Sequence, residues 1–167
     1  MIVKKSIIFL IAFLFSIIGC SEQTKNAKSK FIKDYYSKYK IEKTIEIIQN
    51  SLKSKNYKLI SKYDHVKDAN KLKQMLYPNY TIAFNNPKIS TKLLQCSPTL
   101  AMDLPIRIGV YNELNGSTHI AFTDSEYWSL KHNVKDSKCL ELLILIKRDL
   151  QDMADSVKKE SKNWDYL

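Results

Sequence analysis

Two segments joined by a tight-turn signal constrain the fold of this chain more than any other feature. The segment IRIGVYNE alternates apolar with other side chains, which is the pattern of a strand with one buried face. Asn115-Gly116 follows it, and STHIAFTD comes next. Because Asn-Gly favours the two-residue turns that join antiparallel strands, we expect STHIAFTD to pair back on the first segment. The sequence therefore predicts an antiparallel sheet.

Other segments add helices and further strands. Apolar residues recur at helical spacing in two segments, which predicts amphipathic helices over residues 42–54 and 139–159. Shorter helices are expected over residues 67–75 and, as one or two turns, over 88–95. Three more segments have the pattern of strands, namely FIKDYYSKYKI ending near Ile41, residues 57–63, and NYTIAF.

The N-terminal segment MIVKKSIIFLIAFLFSIIGCSEQ predicts export. Lys4 and Lys5 precede an apolar run that is shorter than the roughly 20 residues of a membrane-spanning helix but matches a signal peptide. The run ends in IIGC, which resembles a bacterial lipobox, where the cysteine is acylated and becomes the new N terminus. We expect residues 1–19 to be a lipoprotein signal peptide and Cys20 to carry the lipid. The alternative is an uncleaved N-terminal anchor with an incidental cysteine.

The predicted lipid indicates where the protein lies. Each buried methylene contributes about 0.8 kcal/mol, so two or three acyl chains hold a domain on a membrane almost permanently. Ser21, rather than aspartate, follows the cysteine, which favours the outer membrane of a bacterial cell envelope, facing the periplasm. Residues 20–30 lack large apolar side chains beyond the lipidated cysteine and are predicted to be a flexible tether. A single domain is predicted over residues 31–160, with a tail at 161–167.

The net charge of +10 has two interpretations. It forms either a solvated lysine-rich face or a surface that contacts anionic headgroups or a polyanion. Arginine is the residue that phosphate and base recognition favours, and the chain has only Arg107 and Arg148. Export also separates the protein from cytoplasmic nucleic acid. We therefore expect a solvated basic face and no nucleic-acid partner.

Motifs in the middle of the chain occur in an order that resembles a known family. The run FNNPKISTKLLQCSPTLAMDLPIRIGVYNE follows Asp64-His65. Together they resemble the domain of unknown function 302 family, whose pattern is Asp-His, Phe-Gly-Asn-Pro, Gly-Thr-x-Leu, a proline, Ala-x-Asp-Leu-Pro and a strand ending in Trp/Tyr-Glu. Asn85 and Ser90 replace the two glycines of that pattern. The matching residues are Asp64, His65, Phe84, Asn86, Pro87, Thr91, Leu93, Pro98, Ala101, Asp103, Leu104, Pro105, Tyr111 and Glu113, followed by Thr123-Asp124 and Lys131-His132.

The resemblance covers about residues 41–159 and implies a fold. That fold is α+β and TATA-binding-protein-like, with the element order β-α-β(4)-α and an antiparallel sheet packed on one face by helices. The resemblance also implies a homodimer. It assigns no biochemical role.

Few residues indicate catalysis or metal binding. Asp64-His65 is a candidate acid–base pair, but neighbours on a strand point to opposite faces, so a structural His65 is favoured. The residue types that bind soft metals do not occur at C-x-x-C or H-x-x-x-H spacing. We expect no metal, no cofactor and no assignable catalytic residue. The metal-binding types present are His65, His119, His132, Cys96 and Cys139.

Cys96 and Cys139 leave two alternatives open. Export would place them in an oxidising compartment, where a bridge closing about 43 residues stabilises a fold by roughly 4 kcal/mol. Both cysteines lie in apolar surroundings typical of buried free thiols, and this slightly favours the reduced state.

Asp103 lies between apolar residues in AMDLP, where an unpaired charge is costly. In the first interpretation its carboxylate binds backbone amides of the Asn86-Pro87 loop. In the second it lies at the mouth of a ligand cleft. The remaining residues of that predicted cleft are His65, Asn86, Pro87, Thr91 and Arg107.

Three functions follow from these observations, in order of preference. The first is a lipid-anchored binding module that takes a small apolar or amphipathic ligand between the sheet and the C-terminal helix. The second is a dimeric structural or interaction protein of the envelope. The third is an enzyme that uses His65 with Asp64 or Asp103.

Overall fold

A five-stranded antiparallel sheet forms the centre of the structure. The computed structural model describes residues 29–158, in which the strand order is β1-β5-β4-β3-β2. The strands are β1 (Ile32–Ser37), β2 (Lys58–Asp64), β3 (Asn79–Asn85), β4 (Ile106–Asn112) and β5 (Thr118–Thr123). The helices are α1 (Ile41–Ser54), α2 (His65–Lys71), α3 (Pro87–Cys96), α4 (Ser125–Lys131) and α5 (Ser137–Val157), with a 3₁₀ helix (Pro98–Met102) before β4.

Alternation along the strands separates two faces of the sheet. On β4, Ile108 and Val110 are fully buried, whereas Arg107, which precedes Ile108, is exposed. Ile108 pairs with Ile82 of β3, and Val110 pairs with Ile120 of β5, so the buried residues of neighbouring strands share one apolar face. The opposite face is called the polar face here and includes Asp34, Tyr36, Arg107, Tyr111 and His119.

Helices α1 and α5 cover the apolar face. Leu143, Ile146, Leu150 and Met153 of α5 are each at most 1% exposed, and Ile48 of α1 is completely buried. Burying one such side chain contributes about 1.5–3 kcal/mol, so these contacts dominate the stability of the fold. The apolar stripe of α5 therefore fills the space between this helix and the sheet.

The fold confirms the predicted α+β architecture and its hairpin. Asn115-Gly116 lies between β4 and β5, which pair antiparallel. Gly116 has φ +79°, a conformation that glycine adopts without the steric penalty of a Cβ atom. Helices α1 and α5 begin and end within two residues of their predicted bounds.

The loop of the family pattern is a complete helix in this chain. Asn86 caps α3 by accepting a hydrogen bond from the Lys88 amide at 3.2 Å, and Pro87 is the first helical residue. Ser90, which replaces a family glycine, is buried inside α3, so its position has ordinary helical geometry. Residues 88–95 therefore belong to a ten-residue helix rather than to one or two turns.

The ends of other elements differ from the predictions. β1 ends at Ser37, whose hydroxyl bonds the Thr44 hydroxyl at 2.6 Å, and so the chain leaves the sheet before Ile41. Helix α2 ends at Lys71, because Lys73 adopts φ 55°, which cannot continue a right-handed helix. Helix α4 was not predicted as a separate element.

Within residues 29–158, no helix combines the length and the apolar character needed to cross a membrane. Four predicted features lie outside these residues. They are the signal peptide at 1–19, the lipid on Cys20, most of the tether and the tail at 161–167.

Candidate functional site

The space between the sheet and the C-terminal helix is not a ligand cleft in the described part of the chain. The facing side chains of α5 are buried against the sheet, as described above. The predicted ligand position is therefore wrong, since side chains of the core occupy it.

The residues of the predicted cleft lie in separate places. Asn86 and Pro87 begin α3 beside a small cavity of about 360 Å³, and Thr91 is exposed on the same helix. Arg107 is on the polar face, where its guanidinium donates to the Met102 carbonyl at 3.1 Å. Arg107 is not among the residues that line the cavity beside Asn86 and Pro87.

Asp64 and His65 have different partners. The Asp64 carboxylate caps α2 by accepting a hydrogen bond from the Val66 amide at 3.0 Å. The His65 Nε2 atom lies 2.8 Å from the Thr81 hydroxyl, and the Tyr63 ring contacts the imidazole edge-on at 5.0 Å. His65, the first residue of α2, is therefore held against β3 by Thr81, whereas the Asp64 carboxylate caps α2, so these contacts do not form the predicted acid–base pair.

Asp103 belongs to a cluster that the sequence did not predict. Its carboxylate lies 2.5 Å from His132 Nε2 and accepts a hydrogen bond from Lys131 at 2.9 Å. His132 Nδ1 lies 2.8 Å from the Thr99 hydroxyl. Burial alone would raise the pKa of Asp103, but the hydrogen bonds from His132 and Lys131 outweigh it and lower that pKa.

This arrangement corrects the first interpretation of Asp103. Among the described residues, its carboxylate bonds the end of α4 rather than the amides of the Asn86-Pro87 loop. The histidine partner of Asp103 is therefore His132, whereas His65 contacts Thr81. Because His132 is 8% exposed and its ring nitrogens both have partners, the cluster ties the 3₁₀ helix to α4.

A second cluster lies on the polar face. Asp34 of β1 accepts a hydrogen bond from the Tyr111 hydroxyl at 3.0 Å, and its other oxygen lies 3.1 Å from His119 Nδ1. The Ser117 hydroxyl lies 3.1 Å from His119 Nε2. Burial, followed by the hydrogen bond to Asp34, raises the pKa of Tyr111. From the sequence, His119 was a candidate only as a metal ligand. Its contact with Asp34 could not be predicted, because the two residues are 85 positions apart in the chain.

An open cleft lies beside Cys96 and Cys139. The structure joins these cysteines in a disulfide with 6.5 Å between their Cα atoms, so the preference for free thiols is wrong. The cleft has a volume of about 950 Å³ and lies between α3 and α5. The contact between these two helices was not predictable from the sequence. It is called the α3–α5 cleft, and it is lined by Lys92, Gln95, Cys96, Asp136, Lys138, Cys139, Glu141, Leu142 and Leu145.

The α3–α5 cleft combines apolar and charged groups. Leu142 and Leu145 supply apolar surface, whereas Lys92 and Lys138 supply positive charge and Glu141 supplies a carboxylate. Its volume is at the upper end of the roughly 300–1,000 Å³ of small-molecule sites in proteins. The cleft can therefore accept a molecule with both an apolar body and a polar group.

One carboxylate oxygen of Asp136 and the two cysteine sulfurs lie within 4.8 Å of one another. These three groups are the only set of this kind in the described residues. The disulfide uses both sulfurs, so no pair of thiolates is available to a metal in this form.

Comparisons with known proteins agree with this architecture. A crystal structure of an uncharacterized conserved protein DUF302 from Bacillus stearothermophilus superposes with a TM-score of 0.70 and 20% identity, covering 78% of this chain and all of that chain. Proteins named fluoride-specific ion channel FluC 1 are 28% identical over 98 residues, or 59% of this chain. This match spans 39% of the Brucella suis protein and 36% of the Brucella abortus protein, so the chain corresponds to less than half of each relative.

The match to the family model is more extensive. The model named domain of unknown function DUF302 matches residues 33–157, which include every strand but the first residue of β1 and every helix described above. The order of motifs in the sequence, the fold and this match agree. The chain belongs to the DUF302 family.

Proposed function

We propose that this protein is a lipid-anchored domain of the bacterial cell envelope that binds a small amphipathic ligand. The observation that carries the proposal is the α3–α5 cleft, which is large, open and lined by both leucines and charged residues. The core beneath the sheet is filled, and the volume of this cleft, about 950 Å³, exceeds that of the cavity beside Tyr57, about 450 Å³, and that of the cavity beside Asn86, about 360 Å³.

The lining indicates the character of the ligand. Leu142 and Leu145 project from neighbouring turns of α5 and suit an apolar chain or ring. Lys92 and Lys138 lie on the two opposing helices and suit an anionic or strongly polar group. An amphipathic molecule can contact both the leucines and the lysines of the cleft, whereas a purely apolar molecule can use only the leucines.

The anchor is the second part of the proposal. Acylation of Cys20 would hold the domain at the envelope, on the outer membrane and facing the periplasm, through the tether at residues 20–30. The relatives named as ion channels support a position beside a membrane, because an ion channel is a membrane protein and the matching segment is part of it. Fluoride transport itself is a property of those longer proteins.

The ligand is tested by native mass spectrometry of Ser21–Leu167, exported behind a conventional signal peptide. We expect an adduct that is retained under native conditions and released by denaturation. Leu145→Arg, which fills the cleft, should abolish the adduct, whereas Ile144→Arg should retain it, because Ile144 is 55% exposed and outside the cleft. An adduct that survives Leu145→Arg would contradict this site.

The anchor is tested by metabolic labelling with an alkyne fatty acid. The wild-type protein should be labelled and recovered with the outer membrane, and Cys20→Ala should lose the label. Cys96→Ala, which changes another cysteine, should keep it. Unlabelled wild-type protein would overturn the anchor and leave the ligand proposal unaffected.

A second function, a homodimer, is favoured by one surface. Strand β2 is an edge of the sheet, and an edge presents unpaired amides and carbonyls that a second β2 can bind about a twofold axis. Apolar side chains on β2 and in the segment before β3 are 40–88% exposed and form what is called the β2-edge patch. They are Leu59, Ile60, Tyr63, Leu72, Met75, Leu76 and Tyr77.

Sedimentation equilibrium of Ser21–Leu167 tests this dimer. Ile60→Lys should convert a dimer into a monomer, because it places a charge in the centre of the proposed interface. Leu130→Lys is the matched control, since Leu130 is 75% exposed on α4, away from the β2-edge patch. A monomeric wild type at high concentration, or an equal effect of both substitutions, would refute the proposed interface.

A further inference from the structure

The disulfide of the α3–α5 cleft lies where a second molecule can reach it. Cys96 is the last residue of α3 and is exposed, and Cys139 is in the first turn of α5 and is 6% exposed. Both cysteines line the cleft. A disulfide that only stabilises the core does not need an open cavity beside it. The position of this bond therefore suggests a role besides stabilisation.

The two sulfurs differ in their electrostatic surroundings. Cys139 lies in the first turn of a 21-residue helix, where the helix dipole favours a thiolate. Asp136 caps this helix by accepting a hydrogen bond from the Cys139 amide at 3.0 Å, and its carboxylate lies within 4.8 Å of both sulfurs, so it disfavours a thiolate on either of them. Cys96 lies at the C-terminal end of α3, and its sulfur is 3.1 Å from the carbonyl oxygen of Lys92. A negative charge is therefore more stable on Cys139 than on Cys96.

Exposure and charge point to the same direction of reaction. In thiol–disulfide exchange, a thiolate attacks the accessible sulfur, and the sulfur that better carries negative charge leaves. Here the accessible sulfur is Cys96, and the better leaving group is Cys139. Lys92 and Lys138 line the approach and attract an incoming thiolate, whereas Asp136 and Glu141 of the same lining repel it, so the lysines are needed to offset these carboxylates.

We propose that Cys96–Cys139 is a redox-active disulfide that oxidises a dithiol segment of another exported protein. A thiolate of that segment attacks Cys96 Sγ, forms a mixed disulfide and releases Cys139 as a thiolate. The second thiol of the segment, once deprotonated, attacks the segment's own sulfur in the mixed disulfide and releases Cys96. The segment is oxidised by two electrons, the cysteine pair is reduced, and the two protons of the dithiol end on Cys96 and Cys139.

This activity goes beyond the binding of a small ligand and does not rest on it. A dithiol segment would occupy the same cleft only during the exchange. Loss of a retained adduct would refute the small ligand without affecting the disulfide, and an inert disulfide would leave a retained adduct in place.

The first experiment uses the full chain purified in detergent, with reduced glutathione as the attacking thiol. Samples are quenched with acid at short times, and the glutathione is located by peptide mapping. We expect about tenfold more glutathione on Cys96 than on Cys139, together with native circular dichroism after full reduction. Equal labelling, or reduction only at the rate of global unfolding, would show a structural bridge and overturn the proposal.

A matched pair of lysine substitutions separates the reaction from simple exposure. Lys138→Gln removes a charge from the cleft and should slow the attack of glutathione several-fold. Lys135→Gln removes an exposed lysine outside the cleft lining and should leave that rate unchanged. Equal rates for both variants would contradict the proposed role of the cleft charges.

Finally, a synthetic peptide with two reduced cysteines tests the complete cycle. The wild-type chain should oxidise one peptide per disulfide, with a mass loss of about two daltons on the peptide and an equal gain on the protein. The Cys139→Ser variant should oxidise none, because its Cys96 has no disulfide partner. A wild type that remains oxidised in excess peptide would refute the activity.

Discussion

We expect removal of the Asp103 carboxylate to lower the free energy of unfolding markedly, because this carboxylate contacts a buried histidine. The side chain of His132 is 2% exposed, and its Nε2 lies 2.5 Å from an Asp103 oxygen, whose own side chain is 11% exposed. The partner Lys131 is 34% exposed, so water weakens its attraction to the same carboxylate. The two contacts of Asp103 should therefore differ in strength.

The burial of each partner sets the magnitude. A hydrogen bond to a charged group contributes about 1.5–3 kcal/mol, and a buried polar atom left without a partner costs about 1–3 kcal/mol. Asp103→Ala removes the bond and leaves His132 Nε2 unpaired, so we expect a loss of about 3 kcal/mol in the free energy of unfolding. Lys131→Met should cost about 0.5 kcal/mol, as for a partly exposed ion pair.

Urea unfolding at pH 7 measures both losses. A double-mutant cycle of Asp103→Ala with His132→Gln should give a coupling of about 1–3 kcal/mol, because the two side chains are in direct contact. Asp103→Asn is the control that keeps the shape of the side chain without its charge. If Asp103→Ala costs less than about 0.5 kcal/mol, or if the coupling is near zero, the reasoning from burial is wrong.

The same cluster predicts a dependence on pH. The pKa of Asp103 is lowered in the folded protein, so its contribution is present above the unfolded pKa of about 3.9. That contribution is lost as the pH falls through the lower, folded pKa. The difference in unfolding free energy between wild type and Asp103→Ala should therefore shrink below about pH 4.

Three further outcomes are expected. Reduction of Cys96–Cys139 should lower the free energy of unfolding by about 4 kcal/mol, measured in urea, because the bridge closes a loop with a sequence separation of 43. The pKa values of Tyr57 and Tyr111 are raised by burial and by neighbouring carboxylates, so both should ionise last in an ultraviolet titration, and stability should fall as the pH rises above about 10. Gly109→Ala should be neutral or stabilise by up to about 1 kcal/mol in thermal unfolding, because a Cβ atom there would meet only one carbonyl oxygen, at 3.7 Å. A reduced protein of unchanged stability, tyrosines that titrate normally, or a marked loss with Gly109→Ala would contradict the respective argument.

Elements with a local signal were predictable from the sequence. The Asn115-Gly116 turn, the alternation of β4 and the helical repeat of α1 each depend on residues within a few positions of one another. The ends of elements were less predictable, because tertiary hydrogen bonds decide them. Ser37, for example, is the last residue of β1, and its hydroxyl bonds the Thr44 hydroxyl.

The candidate site was less predictable than the fold. Asp103 was recognised as a carboxylate that needs a partner, but its partner His132 lies 29 residues away on another helix. Asp34 and His119 meet only because β1 and β5 are neighbours in the sheet, and their separation of 85 residues leaves no local pattern. A prediction that β1 pairs antiparallel with β5 would have been needed to place Asp34 beside His119.

The filled core explains why both proposals concern the same region of the molecule. Leu143 and Ile146 of α5 are buried against the sheet, whereas Leu142 and Leu145, one residue before each, line the open cleft. A helix whose main apolar stripe packs into the core can expose a second apolar stripe to a cleft. This happens only where the adjacent helix ends before it covers that second stripe. Helix α3 stops at Cys96, and the bond to Cys139 holds the two helices at that point. The bond that joins the two helices therefore also lines the cleft, so the disulfide exchange and the ligand binding proposed for this protein are to be tested at the same place.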